Sequence, residues 1–228
     1  MKHIKKFIVN IDGSSGSGKS TAARLLGKKY GWSVLYSGLL FRYAAKMILI
    51  KRPKNKILFL KKLFQKLNYS KIMKINLHTP EISKFSAEIA KELKIRKIIK
   101  SFQKKYVQKK KKIVLEGRDM SKIFPNAEVK FFIVCKPLIV AAKRRWKQLK
   151  MKNKSVSLNE VVKDLKRRDF MDKNRKHSKL ERHAESVYIN TANLKIKAVL
   201  DKMTKCVDGE IKNKYGNWAR VKENKSPA

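Results

Sequence analysis

Eight residues near the start of the chain, Gly13-Ser14-Ser15-Gly16-Ser17-Gly18-Lys19-Ser20, fit G-x-x-x-x-G-K-[ST] at every fixed position. The residue types explain the spacing. Glycines let the backbone curl until successive N–H groups point inward at phosphate oxygens. A helix that follows such a loop offers its free N–H groups and positive dipole end to the same anion. Lys19 then sets an ammonium on the β- and γ-phosphates of a nucleoside triphosphate, and the Ser20 hydroxyl suits Mg²⁺. Gly13 through Thr21 are therefore expected to bind ATP, with Lys19 catalytic and Ser20 the metal ligand. Phosphoryl transfer asks a protein for positioning and positive charge more than for covalent chemistry. The downstream half carries candidates for that charge: Arg118, Arg144, Arg145, Arg167, Arg168 and Arg175. Asp12 and Glu116, at strand ends near the loop, suit either a water on the metal or a structural hydrogen bond. His3, His78, His177 and His183 show no metal-ligand spacing.

The elements around the loop must hold it rigid. Residues 7–12 read as a strand, and 21–30 carry apolar residues at helical spacing up to Gly31. A second strand is expected over 32–36 and a helix over 39–50. Pro53 breaks that helix. Residues 57–67 have a helical apolar pattern studded with lysines. Thr79-Pro80-Glu81 is a helix start, and 82–109 continue as one or two amphipathic helices. The run at 109–112 reads as a solvated turn. Further strands are expected at 113–115, 129–135 and 187–190, the second an apolar run of the kind that a buried parallel strand shows. Helices are expected at 138–149, 158–172 and from 194 to 203, with a mobile loop at 150–157 and a polar, basic tail from 208. Trp32 and Trp146 read as packing residues, and Trp218 lies in the tail. Strands alternating with helices predict an α/β fold with a five-stranded parallel sheet flanked by helices.

Composition narrows the setting. Apolar residues make up 43% of 228, enough for one packed domain. Cys135 and Cys206 have no metal or disulfide spacing, which suits a reducing cytosol. No run approaches the length of a membrane span, and the N-terminal apolar run is too short for a signal peptide. The expected location is cytoplasmic. The formal charge of +42 would attract polyanions. The basic residues run from Lys2 to Lys225 and Lys far outnumbers Arg, which favours lysine filling solvated positions over a dedicated nucleic-acid surface.

Four blocks resemble the bacterial cytidylate kinases, a branch of the nucleoside monophosphate kinases. Ile11 to Thr21 is similar to IDGPSGSGKGT. Tyr36-Ser37-Gly38-Leu39-Leu40-Phe41-Arg42 is similar to DSGALYR. Gly117-Arg118-Asp119-Met120 with Phe124-Pro125-Asn126-Ala127 is similar to GRDMGTVVFPDA. Arg144 to Leu149 and Arg168 to Arg175 match RRxxQL and RDxxDxNR. The resemblance implies a P-loop kinase that transfers the ATP γ-phosphoryl group to CMP or dCMP, with Mg²⁺. It implies one domain, with its core at about 1–37, 110–145 and 176–205. An acceptor-binding insert would occupy about 38–109, a small lid 146–175 and a basic tail 208–228. By the family pattern Ser37 and Arg42 hold the acceptor nucleotide, and Arg118 and Arg175 clamp its phosphate. Arg96 and Asp119 read cytosine, while Arg168 and Asp172 contact the ribose. Arg118, Arg168 and Arg175 join Lys19 as catalytic, and Arg144 belongs to the lid over ATP. The expected partners are ATP and CMP or dCMP. No membrane or required nucleic acid is expected, polyanion binding is non-specific, and the chain is a monomer.

The chain also departs from the pattern. Tyr36 stands where the family has Asp, Phe41 where it has Tyr, and Asn190 where the fifth strand ends in Asp. The segment after Met120 is one residue short, and Ser86 and Ala87 lie near the place of a cytosine-binding serine. The family's small inserted β-sheet has no counterpart at 51–78, so a shortened, helical or irregular insert with less burial of the acceptor nucleoside is expected. Alternatives are another small acceptor (UMP, AMP or shikimate) or a basic nucleic-acid-associated protein with a vestigial loop.

Overall fold

The computed structural model describes residues 6–151 and 155–216. The chain opens with β1 (Phe7–Gly13), α1 (Lys19–Tyr30), β2 (Ser33–Tyr36) and α2 (Ser37–Lys51). Four helices follow: α3 (Lys56–Gln65), α4 (Tyr69–Ile72), α5 (Pro80–Ile89) and α6 (Leu93–Gln108). Then come β3 (Lys112–Glu116), α7 (Met120–Ile123), β4 (Val129–Val134), α8 (Leu138–Lys150) and α9 (Leu158–Asn174). β5 (Val187–Asn190) and α10 (Ile196–Tyr215) complete the order.

All five strands pair in parallel, in the order β2-β3-β1-β4-β5. β1 lies at the centre and is buried along its whole length. Its alternating side chains feed two cores, as a strand of period two must. Phe7, Val9 and Ile11 pack with Ala22, Ala23 and Leu26 of α1 and with Val199, Met203 and Val207 of α10. Ile8 turns to the other face, where Leu60 and Phe64 of α3 and Ile95 and Ile99 of α6 form the second core. A third, smaller cluster joins Ala141 and Ala142 of α8 to Val161 and Leu165 of α9. Trp32 is buried against Phe7 and Tyr30, with ring centroids 5.2 and 4.8 Å away, so it packs as expected.

Local chemistry sets the helix limits. Asn55 caps α3 by accepting from the Leu58 N–H at 3.0 Å, and Thr79 caps α5 ahead of Pro80. Ser157 and Glu160 form a reciprocal capping box on α9, which satisfies donors that would otherwise be orphaned. Gly31 stops α1 in the left-handed conformation at φ 63°.

The segment that reads least clearly in the sequence is helical, as α3 and α4, and among the described residues it contains no strand. Two expectations need correction. The last helix does not give way to a tail at 208 but runs to Tyr215, because Val207, Ile211 and Tyr215 continue the apolar stripe that packs on β1. Lys112 is not in a turn; it opens β3, opposite Phe7. Residues 1–5, 152–154 and 217–228 lie outside the described residues. That takes in His3, part of the expected loop at 150–157, and the tail with Trp218. Among the described residues no helix is long and apolar enough to cross a membrane.

Gly13 ends β1 at φ 146°, and a Cβ placed there would lie 1.8 Å from the Ile133 carbonyl oxygen of β4. The loop can leave the sheet only if this position carries no side chain. Gly13→Ala is expected to lose about 3 kcal/mol or more of stability, through backbone strain and overlap with backbone. Urea unfolding checks this: an unchanged midpoint would show that the strand end can yield.

Candidate active site

The loop between β1 and α1 curls through left-handed Gly16 and Gly18, at φ 69° and 87°. Gly18 is the N-cap of α1 and makes no side-chain capping bond, so the first N–H groups of that helix face the loop. Lys19 is 4% exposed. Its ammonium donates to the Ser14 carbonyl and, at 3.3 Å, to the Ser17 hydroxyl. Burial first, and then the nearby Arg118 charge, lower its pKa to about 7. An unliganded loop therefore holds a lysine that gains from any arriving anion.

Arg118 leaves the turn after β3 and crosses to the loop. It donates to the Gly13 carbonyl at 2.8 Å and the Ser15 hydroxyl at 2.9 Å, while its Nε pairs with Asp172 at 2.7 Å. Burial opposes its charge, but Asp172 and Glu116 outweigh that effect and its pKa lies above the ordinary value. Asp172 in turn reaches Arg175 at 3.4 Å, and Arg175 lies 4.0 Å from Asp119. Asp119 forms a buried ion pair with Arg96. A ladder of alternating charge thus runs from the phosphate loop to the Arg96–Asp119 pair on the insert side. Arg96 also donates to the Ala90 carbonyl at 3.0 Å and lies 5.4 Å from the Phe41 ring centre. One Arg175 guanidinium nitrogen is buried without a hydrogen-bond partner.

Helices α8 and α9 rest on the loop. Asp169 of α9 accepts from the Ser15 N–H at 2.7 Å, and a Cβ on Gly16 would meet Ala141 of α8 at 3.2 Å. Arg144 makes contacts of another kind from those expected of an ATP-covering arginine. It donates to the Thr191 and Ala192 carbonyls, both at 2.9 Å, and so fixes the turn after β5. That turn also touches the loop, since the Thr191 hydroxyl donates to the Ser17 carbonyl at 3.1 Å. Trp146 ties α8 to Val156 at 2.9 Å. Among the described residues Arg168 is held only by Asp164 at 4.0 Å, with burial and Arg118 both lowering its pKa. Asn190 bonds Lys136 in both directions at 3.0 Å, closing β4 onto β5.

On the acceptor side, Ser37 is buried at the first residue of α2. Arg42, one turn on, donates to the Ser83 hydroxyl of α5 and to the Leu77 carbonyl. Burial, then the neighbouring Arg168, Arg145 and Arg118, bring its pKa down to about 10. Ser86 bonds only its own helix at the Ser83 carbonyl. Asp12 takes the structural role, because its two carboxylate oxygens accept from the Met120 and Ser121 N–H groups at 2.8 Å each. Glu116 is buried and close enough to Lys19, Arg42 and Arg118 to favour their charged forms. Its backbone pairs in the sheet, but among the described residues its carboxylate makes no hydrogen bond.

Sequence reasoning gave no role to Asp169, Thr191, Ser83 or Gln103. Asp169 sits inside the RDxxDxNR block, and Gln103 interrupts an apolar stripe at i, i+4 spacing. Both signals were present in the residues.

With the geometry in place, comparison with known proteins is direct. Residues 9–209 match the family described as cytidylate kinase. A cytidylate kinase of Fervidobacterium nodosum is 32% identical over 206 residues, covering 86% of this chain and 93% of that protein. One from Clostridium tetani is 31% identical over 224 residues, covering 92% and 98%. A solved structure from Thermus thermophilus shares the fold at TM-score 0.50 and 20% identity, covering 91% of this chain and 98% of its own.

The site concentrates cations before any anion has arrived, which costs stability. Lys19→Met is expected to weaken binding of ATP or inorganic triphosphate by about 30-fold or more, while the ligand-free protein stays at least as stable. Calorimetric titration and thermal melts check both arms. Unaltered triphosphate affinity would remove Lys19 from the phosphate site.

Proposed function

The chain belongs to the cytidylate kinase family, and we propose that this site transfers the γ-phosphoryl group of ATP to CMP or dCMP, forming ADP and CDP or dCDP. The observation that carries the reading is the charge ladder Arg118–Asp172–Arg175–Asp119–Arg96. It joins a triphosphate loop to a buried pair with donors and acceptors suited to a nucleobase edge, as a two-substrate site requires.

In this reading Gly13 to Thr21 cradle the ATP phosphates. Ser37 and Arg42 hold the acceptor nucleotide, and Arg118 and Arg175 clamp its phosphate, for which a planar guanidinium offers two parallel donors. Asp119 accepts from the exocyclic amine of cytosine while Arg96 faces the other polar atoms of the same base edge, and Arg168 and Asp172 contact the ribose. An oxygen of the acceptor phosphate attacks the γ-phosphorus. The bond to the β–γ bridging oxygen breaks, and that oxygen departs with ADP. No covalent intermediate on the protein is needed. Lys19, Arg118 and Arg168 offset the charge spreading over the migrating group. Arg144 acts on ATP indirectly, by fixing the Thr191–Ala192 turn beside the loop.

The residues fit Mg²⁺. Ser20 is exposed in the first turn of α1 and, among the described residues, its hydroxyl is not committed to the protein. Glu116 is the uncommitted carboxylate nearby, and hard oxygen donors of this kind suit the ion. Ser20 would hold it, and the bound ion would neutralise β- and γ-oxygens. We also infer a cytoplasmic monomer in one domain, divided into core, insert and lid as the sequence blocks suggest. It would need no membrane or nucleic-acid partner. Its surface lysines would bind polyanions without specificity, less so as salt rises.

ADP release measured over CMP, dCMP, UMP, AMP and shikimate tests the assignment, with turnover expected for CMP and dCMP. Activity only with another acceptor would overturn it. Arg175→Ala is expected to lower kcat/KM for CMP about 100-fold or more, with the KM for ATP within a few-fold. Wild-type kinetics in that variant would refute the acceptor clamp.

A further inference from the structure

We propose that Gln103, on the insert helix α6, is a positioning residue that aims the Ser37 hydroxyl proton at the acceptor nucleotide. The proposal rests on the reading of Ser37 as an acceptor contact. Gln103 lies in the stripe Ile95, Ile99, Gln103, Val107, whose other members pack into the core. It is 1% exposed. An amide in such a place costs stability unless it is hydrogen-bonded. Its partner is specific: the Gln103 Nε2 donates to the Ser37 Oγ at 2.8 Å, across 66 residues of chain.

The direction of that bond matters. A serine hydroxyl has one proton and two lone pairs. Accepting from Gln103 uses a lone pair and leaves the proton free for an oxygen of a ligand. Ser37 is also closely held. It is the first residue of α2, and a Cβ on Gly117 of the GRDM turn would meet the Ser37 Cβ at 3.2 Å. The preceding peptide is fixed from the insert as well, because the Tyr36 N–H donates to the Tyr69 hydroxyl of α4 at 2.7 Å. Two insert helices thus hold one junction, the Tyr69 hydroxyl at the Tyr36 backbone N–H and the Gln103 amide at the Ser37 side chain. The second bond has no value to packing that an apolar residue would not supply better. Its consequence is the orientation of Ser37.

Steady-state kinetics on three variants test this. Gln103→Met keeps length and packing but removes the donor. Gln103→Glu keeps shape but offers an acceptor that would take the Ser37 proton. Both are expected to raise the KM for CMP, by about 5- to 30-fold for Met and further for Glu, with kcat and the KM for ATP within about 3-fold. The unchanged ATP constants establish that each variant is folded. In Ser37→Ala the KM for CMP should rise, and Gln103→Met/Ser37→Ala should be no worse than Ser37→Ala alone. An unaltered KM in Ser37→Ala would reject the acceptor role of Ser37. A raised KM there would overturn the role of Gln103 if either Gln103 variant kept the wild-type CMP constant, or if the two effects multiplied.

Discussion

Positive charge held in a largely buried space, before a substrate is there to balance it, is the constraint that organises this molecule. Lys19, Arg42, Arg168 and Arg175 bear charges that burial and neighbouring cations make costly, and Arg118 keeps its charge against burial through Asp172 and Glu116. Mutual repulsion would spread them unless each were tied. Arg118 is tied by loop carbonyls and Asp172, Arg175 by Asp172 and the Ser178 carbonyl, and Arg42 by Ser83 and Leu77. The carboxylates are sited accordingly. Asp172 ends below the usual carboxylate range: burial alone would raise it, but Arg118 and Arg175 more than compensate. Preorganised donors of this kind need no rearrangement at the moment of transfer.

The sheet makes the arrangement affordable. β1 is central and buried on both faces, so its C-terminal end is a fixed point from which the loop departs. β3 is its neighbour and delivers Glu116, Gly117 and Arg118 to the same edge, with Glu116 opposite Ile11 in register. The Asp12 carboxylate then pins the turn at Met120 and Ser121, so Arg118 reaches the phosphate loop and Asp119 reaches Arg96 from a braced backbone. In the proposed reading one turn therefore serves both substrates. The helical insert reaches the same region from the other side, where Tyr69 and Gln103 meet the β2–α2 junction. In that reading a short insert that packs on the core loses area for covering a nucleoside but fixes the residues proposed to touch it.

The parts legible in the sequence are those in which residue type and spacing carry the chemistry. The glycines and lysine of the loop could be read because each must have that type at that separation, whereas the GRDM turn and the Arg168–Arg175 block were legible through their resemblance to the cytidylate kinase pattern. The strands could be read because a parallel sheet covered on both faces needs continuous apolar runs. What escaped depended on partners distant in the chain. The last helix runs on to Tyr215 because β1 offers its polar-looking stretch an apolar seat, a tertiary effect that overrides composition. Arg144 reads as a lid arginine by position, yet the carbonyls of a turn nearly 50 residues away decide where it points. Gln103 was visible as an anomaly in an apolar stripe, but only the fold supplies Ser37.

The net charge of the chain and the charge of the site are separate matters. Within the ladder, arginines alternate with aspartates, and the excess over them is the small positive surplus that two phosphate-bearing substrates would cancel. The great excess lies elsewhere. Between Lys51 and Lys112 the only carboxylates are Glu81, Glu88 and Glu92, and most of the lysines there are exposed, eight of them on α3 and α6. Those helices turn apolar faces inward and lysines outward, so a long aliphatic stem covers the core edge while the ammonium stays in water. Charges so placed are screened within about 8–10 Å at physiological salt and act on nucleotides only as a diffuse attraction. Selectivity for an acceptor must come instead from the few arginines that the fold removes from water, since only there is an unpaired donor expensive enough to discriminate between ligands.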